Sequence, residues 1–535
     1  MEIDKDTAAQ AIKAGETALG LELGSTNIKA VLVDKSARVL AEGSFGWENK
    51  LADGIWTYSL DEVWKGIQSA YVELESAVLK GYGVQITRLG SLGISAMMHG
   101  YLAFDKEGRQ LGEFRTWRNN TTGEAAARLT KLFGFNIPQR WSIAHLFQAM
   151  LNGEEQVKHV AFLTTLAGYV HWRLSGEKVL GMGDASGMFP LDPATGGYDA
   201  AMLVKFKQLP EMASYSWRLF ELLPEIRKAG EQAGHLTEKG AALLDPSGTL
   251  QAGAVMAPPE GDAGTGMVAT DAVRPGTGNI SVGTSAFSMN VLSAPLAAVH
   301  EDIDVVATPD GAPVAMVHTN NCSSDFNAWA GLFGEMAELS GRKLAPDELY
   351  SLLLGATSGA ARDAGGLLAY SCLSGENVTR VEKGRPLFVR GPESRLRLGD
   401  FMLSQLYGAF APLALGMRIL TEEEHVTASE MVAQGGLLKT PKIAQQALAD
   451  MLGVPITVMS TAGSGGPWGM AVLALYAVSG SKEKLPDWLD SEIFAGAKRQ
   501  KLEPEPTGRA GAAKWLKAYE AALPLEQTAG KYVAE

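Results

Sequence analysis

Several short segments of this 535-residue chain join glycine to hydroxyl or acidic side chains in patterns that suit phosphate chemistry. The first is Glu22-Leu23-Gly24-Ser25-Thr26-Asn27-Ile28-Lys29. A Gly-Ser-Thr turn offers backbone N–H groups and hydroxyls to phosphate oxygens. An acidic residue closing the preceding strand can organise Mg²⁺ through water, because that ion keeps several waters and takes few carboxylates. The second is Gly261-Asp262-Ala263-Gly264. A single carboxylate among small residues suits a place that a substrate must approach, and it can take the proton of a hydroxyl attacking phosphorus. Read alone, the same Asp is an N-cap for the helix that follows. The third is Gly283-Thr284-Ser285, a second phosphate-type turn. The fourth, Gln434-Gly435-Gly436-Leu437-Leu438-Lys439-Thr440-Pro441, leads into a helix, where glycines let a ligand reach free N–H groups. The fifth, Gly463-Ser464-Gly465-Gly466-Pro467, opens another helix. Each segment taken singly also reads as an ordinary turn.

Other chemistries are not supported. There is no GxxxxGK[ST] segment, no GxGxxG after a strand and no HExxH. The eight histidines are scattered; His99, in Ala96-Met97-Met98-His99-Gly100, ends a strand beside glycine. Cys322 and Cys372 are the only cysteines, too few for a disulfide framework or a cysteine-based zinc site, and they fit a reduced, cytoplasmic setting. Net charge is −13, opposite in sign to a nucleic-acid binder. The N-terminal residues lack the apolar stretch and cleavage site of a signal peptide, and no run of 18 apolar residues is present. The 61 glycines exceed ordinary usage and agree with several binding turns.

The elements that must hold these residues follow from periodicity. A short helix is expected over 4–14, strands over 19–34 with the Gly-Ser-Thr turn between them, and a third strand over 38–46. Val63, Ile67, Ala70, Tyr71, Leu74, Ala77 and Val78 recur at helical spacing over 60–80, with Ser59 as N-cap. Strand–turn–strand is expected over 88–104, helices over 121–175 and 215–245, and loops over 176–200. A short helix and a strand pair should fill 261–290. Further helices are expected to about 358 and over 399–420, with strand–loop–helix units over 430–452 and 455–479 and a final helix over 510–522. A Gly-rich hairpin thus stands near the start of each half, GSTNIKA against GTSAFSM. This is the echo left by two similar domains.

Taken together and in order, the segments from about 19 to about 478 resemble the FGGY carbohydrate kinases, nearest the xylulose kinase branch. LGLELGSTNIKAVLVD is similar to the first phosphate motif and ISVGTSAF to the second. GISAMMHGYLAFDKEGR is similar to the strand with the Gln-Met-His-Gly signature. GDAGTG resembles the segment holding the catalytic base, and VAQGGLLKTPKIAQQALADMLGVPI the adenosine motif. Leu174-Ser175-Gly176-Glu177, Asp184-Ala185-Ser186-Gly187 and the CLSGEN segment at 372–377 resemble further family loops.

The resemblance implies an α/β fold of two actin-like, ribonuclease-H-like domains with an ATP and sugar cleft between them. It implies a helical extension over 1–18, a sugar-binding domain over 19–275, a nucleotide-binding domain over 276–480 and a packed tail over 481–535. Asp262 becomes the general base; Met98, His99, Trp117, Asn119 and Asp262 become sugar contacts. Gly24, Ser25, Thr26, Lys29, Gly283, Thr284, Gly435, Gly436 and Lys439 become ATP contacts, with Glu22 holding Mg²⁺ through water. The cofactors implied are ATP and Mg²⁺, and the partner is a small sugar, with no nucleic acid, no membrane and scope for a homodimer.

The chain departs from that pattern at four places. Glu22 replaces an Asp, Met97 replaces the Gln of the signature, Ala263 follows the base where Asn is usual, and Trp-Asn-Asp reads Trp117-Arg118-Asn119. Three of these lie on the sugar side. A ketopentose kinase is expected, D-xylulose first, with L-ribulose, D-ribulose and polyols as alternatives. A non-catalytic, actin-like ATP-binding regulator is the alternative from another class. It would be marked by a lost base or an added DNA-binding module, neither of which the chain shows.

Overall fold

The computed structural model describes residues 4–459 and 465–532. The chain divides into two compact units. One takes the chain up to Val273, together with Asp304–Val314 and the stretch to Gly496 after the undescribed residues. The other takes Arg274–Ile303, residues 315–459 and the chain from Ala497 onward. The single boundary expected near 275 is therefore only the first of several crossings. Helix Gly465–Val478, placed by sequence in the second domain, belongs to the first unit because it packs on strand Thr17–Leu23 and helix Asp262–Ala269.

In the first unit the sheet runs Val255–Met256, Ser91–Ala96, Thr17–Leu23, Asn27–Asp34, Val39–Gly46, with Glu260–Gly261 also paired to Ser91–Ala96. Thr17–Leu23 is antiparallel to Asn27–Asp34 and parallel to Ser91–Ala96. Glu260–Gly261 is likewise parallel to Ser91–Ala96. The strand that ends at Leu23, the one that ends before Met98 and the one that ends before Asp262 thus all finish at the same edge. Ligands of mixed α/β sheets gather at such C-terminal strand ends.

Helix Leu60–Tyr82 covers one face of this sheet, for reasons its sequence states. The Ser59 side chain accepts from the Glu62 N–H, Asp61 and Glu62 lie in the first turn and Gly83 closes the helix at φ 68°. Its buried stripe of Val63, Ile67, Ala70, Tyr71, Leu74 and Val78 lies in the core of the unit, each large side chain adding about 1.5–3 kcal/mol. Gly43 lets the helix backbone come close, since a Cβ there would overlap the Ala70 carbonyl. Helix Gly465–Val478 lies against the same sheet at Gly20 and Gly93, where a side chain would strike Pro467 or Met470. Trp468 fastens it, its indole N–H donating to the Ala37 carbonyl at 2.7 Å.

The second unit follows the same scheme, running Ala286–Val291, Thr277–Val282, Glu430–Gly435, Ile456–Met459, Arg499–Leu502 along its sheet. Thr277–Val282 is antiparallel to Ala286–Val291 and parallel to Glu430–Gly435. The echo between the two glycine-rich hairpins is therefore an echo of topology. Helix Pro506–Gly530 docks here through Trp515, whose indole donates to the Leu367 carbonyl, and through Tyr519, stacked on Tyr370 at 4.5 Å.

Three local expectations differ from the structure. The stretch 176–200, expected as loops, holds strand Val179–Gly181 and helix Met182–Ser186. Strand Thr17–Leu23 begins inside the expected 1–18 extension, whose helix spans Lys5–Ala14. Most of 215–245 is not helical; it holds only Leu219–Leu222, strand Glu225–Arg227 and helix Glu238–Leu244. Pro224 and the positive φ of Gly230 (89°) and Gly234 (97°) interrupt the apolar periodicity.

Candidate functional site

Asp262 is the first residue of helix Asp262–Ala269, immediately after strand Glu260–Gly261. Its carboxylate accepts the Met98 N–H at 3.3 Å. Gly261 has no side chain because Met98 occupies that space. Burial pushes the Asp262 carboxyl up to about 6, against the N–H bonds from Met98 and Ala263 that favour its charge. Thr265, one turn on, bonds Ser95 at 3.0 Å and ties the helix to the neighbouring strand.

Glu22 closes strand Thr17–Leu23 in register with Lys29 on one side and Ser95 on the other. Burial, and then the Asp262 charge, push the Glu22 carboxyl up to about 8, while Lys29 pulls it down. Gly466 leaves room for this longer acid, since a Cβ there would overlap the Glu22 carboxylate. A carboxyl held up in this way by burial and by a neighbouring acid favours a bound cation. No group of three or more His, Cys, Asp or Glu side chains is clustered for a metal among the described residues. The donor set thus suits an ion that keeps most of its water, as Mg²⁺ does.

The turn after Glu22 is held through its carbonyls. Trp47 donates its indole N–H to Gly24 at 2.7 Å and its backbone N–H to Thr26 at 3.1 Å, while the Tyr58 hydroxyl donates to Ser25 at 2.6 Å. Trp47 and Tyr58 stack at 4.1 Å beneath it. Trp117 adds an indole bond to the Ser25 hydroxyl at 3.1 Å. The Gly24 N–H closes the turn on the Asn27 carbonyl at 3.0 Å, so the three carbonyls at 24–26 and this N–H are all engaged within the unit.

His99 has φ 68° and Gly100 φ 87°, so the chain reverses sharply just past the strand end. A left-handed histidine is strained and persists only where its surroundings fix it. Here its ring stacks on Trp141 at 6.1 Å and its Nδ1 faces the Gly187 carbonyl at 3.3 Å. Met98, His99, Asp262, Glu22, Lys29, the turn at 24–26 and Trp117 are therefore gathered in one unit. Asn119 is placed differently from the sequence expectation. It clamps loop backbone, accepting from the Trp56 N–H and donating to the carbonyls of Trp56 and Thr116 at 2.8–3.0 Å. Arg118 lies 4.1 Å over the Trp56 ring.

In the second unit, the Gly283-Thr284-Ser285 turn is held in the same manner. The Ser323 N–H and hydroxyl both donate to Gly283, the Cys322 N–H to Thr284 and the Gly283 N–H to Ser285, all within 2.6–3.0 Å. Val282 pairs directly with Gly435, so this turn and Gly435-Gly436 lie at the ends of adjacent parallel strands. Gly435 has φ 135°, and a side chain there would overlap the Val282 carbonyl. Lys439 is exposed at the end of the turn Gly436–Lys439. Of the fifth motif, Gly463 and Ser464 lie outside the described residues.

Two buried acids near Asp262 were given no role from the sequence: Glu260 went unnoticed, and Asp184 was named only as part of a family-like loop. Glu260 accepts the N–H groups of Gly183 and Asp184 at 3.2 and 2.9 Å, and Asp184 accepts the Thr165 hydroxyl at 2.5 Å. Burial drives both carboxyls up, Glu260 to about 8 and Asp184 to about 7. The available signal was a lone charge in the otherwise apolar and small run Val255-Met256-Ala257-Pro258-Pro259-Glu260-Gly261.

Comparison with known proteins shows the family. The N-terminal domain of the FGGY family of carbohydrate kinases matches residues 17–249 and its C-terminal domain matches 278–478. The chain is 22% identical over 507 residues to an autoinducer-2 kinase of Salmonella paratyphi B, covering 89% of this chain and 90% of that one. It is 25% identical over 303 residues to the xylulose kinase of Escherichia coli K12, covering 53% and 56%. The structure of a ligand-bound xylulose kinase from Lactobacillus acidophilus superposes with a TM-score of 0.77 at 18% identity, covering 97% of this chain and all of that one.

Proposed function

Since the chain belongs to the FGGY family of carbohydrate kinases and is a sugar kinase, with the two-domain fold of that family, we propose that it transfers the γ-phosphoryl group of ATP to a hydroxyl of a ketopentose, with Asp262 as general base. The observation that carries this reading is the placement of one carboxylate at the strand ends. Its Oδ1 accepts the Met98 N–H at 3.3 Å, which fixes the carboxylate at the end of strand Ser91–Ala96.

As the sugar oxygen attacks the γ-phosphorus, the bond to the ADP oxygen breaks and the hydroxyl proton passes to Asp262. Asp262 must be ionised to do this, and its elevated pKa of about 6 makes it a better base while leaving it charged at neutral pH. Glu22, with Asp262 beside it, would hold Mg²⁺ through water; the ion supplies charge neutralisation on the phosphates. The turn at 24–26 and Lys29 receive phosphate oxygens. Gly283, Thr284, Gly435, Gly436 and Lys439 receive the rest of the nucleotide. His99 and Met98 orient the sugar, and on their account D-xylulose is the first acceptor to test. L-ribulose, D-ribulose and polyols follow, since Arg118 and Asn119 depart from the xylulose kinase pattern.

The test is ADP release with Mg-ATP across ketopentoses, aldoses and polyols, with Asp262→Asn as control. One acceptor should raise release many-fold in the wild type alone. A flat panel from a protein that still binds ATP would overturn the ketopentose reading.

A further inference from the structure

Glu260 is buried with 1% of its surface exposed, two residues before Asp262, and neither the phosphoryl transfer nor the nucleotide turns make use of it. A buried carboxylate is costly unless its oxygens are hydrogen-bonded. Both oxygens of Glu260 are: Oε1 accepts from Gly183 and Oε2 from Asp184, across a sequence separation of 77 and 76 residues. Gly181 and Gly183 are glycines for this reason, because a Cβ on either would overlap the carboxylate. The Gly181 N–H also donates to the Pro259 carbonyl at 2.8 Å, so the two segments are joined twice.

The segment so fastened leads directly to His99. The Ser186 hydroxyl donates to Gly183 at 2.5 Å, and the Gly187 N–H to the Asp184 carbonyl at 3.1 Å. Gly187 in turn presents its carbonyl to His99 Nδ1 at 3.3 Å, and a side chain on Gly187 would overlap that ring. One carboxylate is thus bonded to the support of His99 while its own chain carries Asp262. We propose that Glu260 is a positioning residue that sets the spacing between the base Asp262 and the sugar-contacting His99. This inference rests on the roles assigned to those two residues under the proposed function.

The consequence is specific. Loss of Glu260 lets the 181–187 segment and His99 shift relative to Asp262 while the nucleotide turns stay in place. A displacement near 1 Å at a reacting centre costs about 100-fold in rate. Glu260→Ala should therefore lower kcat/KM for the sugar by about 100-fold with KM for ATP within about twofold. Glu260→Gln keeps one acceptor oxygen and should recover about tenfold of that loss.

Gly181→Ala gives a test from the opposite side. Its backbone (φ −70°, ψ 159°) accommodates alanine, and the three nearest atoms to a Cβ there all belong to the Glu260 side chain. It should lower kcat/KM by itself and add little in a Glu260→Ala background. A readout independent of turnover is the ring ¹⁵N resonance of His99, assigned with His99→Gln, which should move in Glu260→Ala. Additive effects of Gly181→Ala and Glu260→Ala, an unmoved His99 signal, or sugar and ATP parameters falling together would overturn the proposal. If Glu260→Ala does not fold, Glu260→Gln and Gly181→Ala carry the same measurements. If the wild type phosphorylates nothing, the acceptor reading falls, and the His99 resonance still decides whether Glu260 sets its position.

Discussion

The two glycine-rich hairpins share a plan and differ in what surrounds them. Each follows a strand that is parallel to a neighbour, and each has its turn carbonyls engaged by donors from the same unit. The turn at 24–26 stands beside Glu22 and Asp262, two carboxyls held above their ordinary range. The turn at 283–285 is braced instead by Cys322 and Ser323, at the start of helix Ser323–Leu339, and by the Gly435 backbone. Under the proposed function, a repeated scaffold would hold phosphate twice while the chemistry is placed once, beside the hairpin where the two carboxyls crowd.

Experiments that disturb one hairpin and spare the other put this contrast at risk. The largest effect should come from Asp262→Asn, which removes the base while preserving size: sugar-dependent turnover should fall by about 10²–10⁴-fold, with nucleotide affinity measured by calorimetry unchanged. Nucleotide affinity falling in parallel would erase the division between chemistry and grip. The pH profile sharpens the same point. An ionised base is required, so kcat/KM for the sugar should fall as pH drops through about 6, with a slope of about tenfold per unit. Nucleotide binding should show no such limb. Gly435→Ala acts on the other hairpin, forcing a side chain into φ 135° and the Val282 carbonyl at a cost of about 1–3 kcal/mol. ATP affinity should weaken by about tenfold or more, with the pH limb unmoved. Glu22→Gln should raise the Mg²⁺ concentration for half-maximal rate by about tenfold. Smallest is Trp117→Phe, which removes one hydrogen bond to Ser25; a loss of about 1 kcal/mol would appear as a several-fold rise in KM, and a larger change in kcat would show that the indole does more than brace the turn.

Features carried by a few adjacent residues were legible in the sequence. The Gly-Ser-Thr turn, the Gly-Asp segment and the capped helix from Ser59 onward each announce themselves over one short window. What depends on distant segments meeting was not legible. Glu260 is understood only once Gly183 and Asp184 are beside it, and Asn119 only once the backbones of Trp56 and Thr116 are seen to take up its amide. The unit boundaries were hidden for the same cause, since nothing in residues 465–478 says which sheet they will cover. The stretch 215–245 failed for a different reason: apolar spacing suggested a helix, and Pro224, Gly230 and Gly234 outweighed it.

The return of helix Gly465–Val478 to the sheet that opens the chain bears on how the protein is made. Strands Thr17–Leu23 and Ser91–Ala96 leave the ribosome first, and the helix that closes over Gly20 and Gly93 emerges only after strands Thr277–Val282 and Glu430–Gly435 of the second unit. At about 5–20 residues per second, the nascent sheet carries a bare apolar face for tens of seconds. A message truncated before residue 465 therefore damages the beginning of the protein as much as its end, and leaves a sticky, unfinished first unit for the quality-control machinery to clear.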